Sequence, residues 1–74
     1  MAKLEAKSEV SGSVWKIEVA VGQSVAEGDI LMLIESMKME IPVVVEVAAG
    51  KVASILVAEG DAIIEGQAVA ILDT

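Results

Sequence analysis

Sliding the chain against itself by 38 positions brings all six glycines into register without a gap: Gly12 falls on Gly50, Gly22 on Gly60 and Gly28 on Gly66. Apolar positions follow the same offset, Val14 on Val52, Ile17 on Ile55, Val19 on Val57 and Leu33 on Ile71, with Glu27 on Glu65 and Glu35 on Asp73. Glycines mark backbone sites that need a positive φ or a close approach, so matching them means matching turn geometry as well as hydrophobicity. The chain is therefore two copies of one unit, and the fold must accommodate both.

Each copy reads as short strands. Leu4 to Glu9 suits an edge strand ended by Val10-Ser11-Gly12. Ser13 to Ala20 alternates, with Trp15, Ile17 and Val19 on one face and Lys16 and Glu18 on the other, as a half-buried strand requires. Turns are expected at Val21 to Ser24 and Ala26 to Asp29, with Val25 a very short strand between them. The apolar run Ile30-Leu31-Met32-Leu33-Ile34 is a strand, as is the segment from about Met39 to Val45. After a turn at Ala48-Ala49-Gly50, a strand alternates through Ala53, Ile55 and Val57. The turn signals Glu59-Gly60-Asp61 and Ile64-Glu65-Gly66-Gln67 bracket a short Ala62-Ile63 segment, and Ala68 to Leu72 closes the chain.

A unit of this kind has one apolar face and cannot bury it alone, so the expected fold is all-β. It is a flattened barrel or sandwich of two four-stranded antiparallel sheets related by a pseudo-two-fold axis. The 74 residues form one domain, 1–74, with halves at about 2–36 and 40–74 and a hairpin at 36–39. With no cysteine, burial alone must stabilise it, and a hydrophobic content of 55% makes that feasible. The axis sets the hairpin and the chain ends at opposite ends of the domain. Trp15 breaks the repeat, since its partner is Ala53, and as a packing residue it calls for a compensating volume change nearby.

Composition removes whole classes of function. With no histidine, cysteine or tyrosine, the chain lacks the usual general bases and thiol nucleophiles, and its serines lack an activating partner, so it is not expected to be an enzyme. A net charge of −7 with no arginine argues against binding nucleic acid. Glu27-Gly28-Asp29 and Glu59-Gly60-Asp61 lack the spacing of a calcium loop and read as turn chemistry. The first residues carry charges where a signal peptide would be apolar, and no stretch reaches membrane-spanning length, which makes a cytoplasmic location the expectation.

What remains is Glu35-Ser36-Met37-Lys38-Met39-Glu40, lying between two apolar runs and read as the turn of a β-hairpin. Large apolar side chains on a tip are costly unless something uses them, and Met37 and Met39 flank Lys38 where turn chemistry favours Asn, Asp or Gly. At the seam of a doubled, glycine-punctuated β-domain, this segment resembles the biotinyl domain of biotin-dependent carboxylases and their small stand-alone relatives, the biotin/lipoyl attachment proteins. The resemblance spans roughly Val10 to Asp73. It implies covalent biotin on Lys38, with Met37 and Met39 as flanks and Glu35, Ser36 and Glu40 as hairpin residues read by a biotin protein ligase.

The resemblance further implies a carrier that takes a carboxyl group on its biotin between a biotin carboxylase and a carboxyltransferase. Lysine amines, with a reference pKa of about 10.4, are almost wholly protonated at neutral pH, so such a ligase must remove the proton and supply an activated biotin. Related lipoyl domains usually have Asp before the lysine and no methionine after it, so Met37 and Met39 point to biotin. A lipoyl carrier and an unmodified docking domain remain the alternatives. As an isolated domain it is expected to be monomeric. Val21 to Ser24 is too short for the protruding loop of some bacterial biotin carriers, so partners relying on that loop are not expected.

Overall fold

The computed structural model describes residues 2–74, and its elements are eight strands: β1 Lys3–Lys7, β2 Gly12–Ile17, β3 Ser24–Ala26, β4 Ile30–Ser36, β5 Met39–Val44, β6 Ala49–Ile55, β7 Ala62–Ile63 and β8 Ala68–Asp73. No helix occurs among the described residues. Met1, where the expected domain begins, lies outside them. One sheet has the order β1-β8-β6-β3 and the other β5-β4-β2-β7, with every pairing antiparallel. This is the two-sheet, four-plus-four arrangement that the strand pattern predicts.

Turn geometry explains why the glycines recur. In the segments Ala20 to Gln23, Ala26 to Asp29, Ala58 to Asp61 and Ile64 to Gln67, the fourth residue donates its N–H to the carbonyl of the first at 2.9–3.1 Å. Its side chain accepts the N–H of that same first residue, Gln23 from Ala20, Asp29 from Ala26, Asp61 from Ala58 and Gln67 from Ile64. The third residue is glycine each time, with φ between 86° and 93°, as a type II turn requires. The carboxylates of Asp29 and Asp61 are thus committed to their own turns. Gly12 and Gly50 have a different role: a side chain at Gly12 would collide with the Glu35 carbonyl oxygen, and one at Gly50 would sit 2.9 Å from that of Asp73.

The core lies between the sheets and draws on both copies. Val14 and Val52, Val25 and Ile63, Leu31 and Val69, Met32 and Ala70, and Ile34 and Leu72 are all buried, and each pair is one repeat apart. Strict alternation would not allow Leu31 and Met32, or Val69 and Ala70, to face inward together. β-Bulges do: the register shifts between Ile30 and Met32 against β5, and between Ala68 and Ala70 against β1. A second pair of bulges falls between Val14 and Lys16 in β2 and between Val52 and Ser54 in β6.

That bulge corrects the reading of Trp15. The alternation through Trp15, Ile17 and Val19 places Trp15 on the core face, but the extra residue turns the indole outward, leaving it 52% exposed while Val14 is buried. No compensating volume change is needed for a side chain outside the core. Within the core, the repeat instead departs in size at Met32 and Ala70. The strand is also shorter than expected, ending at Ile17, and Ala49 and Gly50 belong to β6 rather than to a turn.

Candidate functional site

The hairpin of β4 and β5 is the longest ladder among the described residues, running from Ile30 paired with Val44 to Ser36 paired with Met39 and unbroken beyond the bulge, from Met32 on. It leaves a loop of two residues, Met37 and Lys38. The turn is therefore shorter than the six-residue turn read from the sequence: Glu35 and Ser36 belong to β4, and Met39 and Glu40 to β5. Their polarity suggests a loop, yet the outward positions of an antiparallel strand are polar too. Met37 has φ 52° and Lys38 φ 64°, the signs of a type I′ turn, whose twist matches the flanking strands. Asn-Gly or Asp-Gly normally fills such a turn, and a side chain with a Cβ costs roughly 1–2 kcal/mol per residue in that conformation.

The body of the domain holds this tip in place. Ile34 on β4 and Val43 on β5 are buried, which anchors both arms of the hairpin. The absence of a side chain at Gly12 lets β2 lie against the Glu35 carbonyl. From there the Ser36 hydroxyl donates to the Ser11 carbonyl at 2.8 Å, and the Ser11 hydroxyl oxygen accepts the Glu65 N–H at 2.9 Å. Ser11 and Gly12 thus position the hairpin, a role the sequence reading did not assign. The clue is that Gly12, unlike Gly22 and Gly28, has no turn-forming Asp or Gln beside it.

All the proposed site residues converge on this end. Met37 is 93% exposed and Met39 62% exposed, and Lys38 is exposed between them. Glu35 and Glu40 face one another directly across the ladder, a like-charge pairing that weakens a hairpin. Among the described residues the ion pairs are Lys3–Asp73, Lys7–Glu5 and Lys16–Glu18, so the Lys38 amine is in none of them. A groove of about 320 Å³ opens elsewhere, between β1 and β5, and none of the six residues from Glu35 to Glu40 lines it.

The tip and the chain ends lie at opposite ends of a body 36 Å long. Ala2 and Thr74 exchange backbone hydrogen bonds of 3.2 and 2.9 Å, next to Asp73 and Gly50. Gly50 pairs with β3, and the turn after β3 bonds to Val45 beside the start of β4. The seven residues of β4 then run about 20 Å away from that end to reach Ser36. What this geometry supplies chemically is a free primary amine on a stiff mount, flanked by two thioethers and reachable from most directions.

Comparison with known proteins gives a consistent result. The family model described as "Biotin-requiring enzyme", the biotin/lipoyl family, matches residues 5–72. A biotinylated protein TB7.3 homolog from Mycobacterium leprae is 41% identical over 68 residues, covering 92% of this chain and 94% of that protein. A biotin/lipoyl attachment protein from Bacillus subtilis is 38% identical over 58 residues, 78% of each. Among solved structures, the urea carboxylase of Kluyveromyces lactis superposes with a TM-score of 0.88 at 38% identity, over 97% of this chain but only 6% of the carboxylase. A single-chain, multi-domain long-chain acyl-CoA carboxylase shares the fold, with a TM-score of 0.89 at 20% identity.

Proposed function

The chain belongs to the biotin/lipoyl family, and from that premise we propose that it is a non-catalytic carrier which takes biotin as an amide on Lys38. The observation that carries the reading is the Met37-Lys38 turn: a hairpin within the family-matched residues holds a lysine in a disfavoured conformation, its amine outside every ion pair among the described residues and its apolar flanks in solvent. These residues fit the group, because amide formation needs an unhindered amine that a ligase can enclose.

In the proposed attachment step, the Lys38 nitrogen attacks the acyl carbon of biotinyl-adenylate. The acyl–phosphate bond breaks, AMP leaves, and the nitrogen gives up its proton to a base on the ligase. Met37 and Met39 offer flexible, polarizable contact surface to the ligase, and Glu35 and Glu40 offer it two charges. When bound, biotin supplies a ring nitrogen that accepts and releases a carboxyl group. The stiff mount at the far end from the chain ends lets the lysine arm reach first a biotin carboxylase site, charged with ATP and bicarbonate, and then a carboxyltransferase site.

A lipoyl cargo is the second reading, favoured by the kinship with a biotin/lipoyl attachment protein. Intact mass after co-expression with a biotin protein ligase decides between them. A gain of one biotin that Lys38→Arg abolishes is the expected result. A lipoyl adduct under lipoylating conditions in place of biotin would reassign the cargo, and no adduct under either condition would leave an unmodified docking domain.

A further inference from the structure

Two of the four methionines stand on the tip, at 93% and 62% exposure, while Met32, in β4 of the same hairpin, is wholly buried. Both side chains spring from a backbone held at the tip: Met37 lies in a two-residue loop with positive φ, and Met39 pairs with Ser36. The chain contains no cysteine, so these thioethers meet no competition from a thiol for a soft oxidant.

We propose that Met37 and Met39 form a reversible oxidation site that governs whether Lys38 can be acylated, a proposal resting on the carrier reading above. The oxidant is a peroxide. A sulfur lone pair attacks one peroxide oxygen, the O–O bond breaks, a sulfur–oxygen bond forms, and the departing hydroxide takes up a proton to leave as water. Sulfur loses two electrons and the peroxide gains them. A thiol-dependent methionine sulfoxide reductase reverses the change, removing the oxygen as water while two thiols become a disulfide. The sulfoxide is polar, so a ligase surface shaped for an apolar flank must desolvate it, and the loss of one buried methionine contact corresponds to a fall in recognition of about tenfold.

The test exposes the intact chain to hydrogen peroxide, maps the added oxygen by peptide mass spectrometry, and then follows biotinylation by a biotin protein ligase. Oxygen is expected on Met37 and Met39 before Met32, with an initial biotinylation rate about tenfold lower that reductase treatment restores. The double variant M37L/M39L, compared with itself before and after peroxide, is expected to lose the sensitivity. Equal rates for oxidised and untreated chain overturn the proposal while leaving the carrier reading intact, as does oxidation of Met32 in step with the tip. Failure of the untreated chain to take biotin is a separate result, and it removes the carrier reading first.

Discussion

Lys38 and Met37 occupy backbone conformations that their side chains disfavour, so this turn is less stable than the same turn built from asparagine or glycine. Replacing Met37 by Asn, which tolerates positive φ, is expected to stabilise the domain by roughly 0.5–1 kcal/mol. The urea midpoint should rise with an unchanged slope, and an unmoved midpoint would show that the turn stores no strain. Trp15 makes the opposite case, a large side chain that contributes little to the core. Trp15→Ala is expected to cost less than about 1 kcal/mol, against the 3–5 typical of a buried tryptophan. A larger loss on urea unfolding would mean that the indole is doing core work from outside the sheet. That Lys38 lies in an exposed turn was legible from the sequence because apolar runs flank it on both sides, whereas the orientation of Trp15 depends on a bulge that no periodicity reveals.

Among the elements, the β4–β5 hairpin depends most on its support. Gly12→Ala would push a methyl group into the Glu35 carbonyl and is expected to cost about 2–3 kcal/mol. At Gly28 the space is open and only the positive φ opposes a side chain, so Gly28→Ala is expected to cost about 1 kcal/mol. Chemical denaturation ranks the two variants, and equal losses would refute close approach as the reason for glycine at position 12. Most strands and all four type II turns were legible, because alternation and Gly-Asp or Gly-Gln pairs act locally. Strand ends were less so: Ala49 and Gly50 look like a turn, yet they pair with Ala26 and Val25 across the sheet, a contact with no trace in the local sequence. The hairpin turn was read too long for a similar reason, since cross-strand partners rather than polarity decide where pairing stops.

For the molecule as a whole, the two copies share one core, and neither sheet has an apolar interior of its own. Ile34→Ala and Leu72→Ala, made at positions one repeat apart, are each expected to cost about 2–5 kcal/mol, a large part of the stability of a small domain. Fluorescence of Trp15 reports on the sheet that contains β2, and far-ultraviolet circular dichroism reports on both sheets. Their unfolding curves should coincide in both variants, and separate transitions would mean that each sheet stands alone. The doubled pattern made this shared core legible, while the Met32 and Ala70 asymmetry emerged only once the bulges were in view. Because Ala2 and Thr74 already meet shoulder to shoulder, this module is suited to splicing into a surface loop of an unrelated host. The graft would ask little of the host at the splice, and it would hold the Lys38 hairpin at the end that points away from the host's own surface.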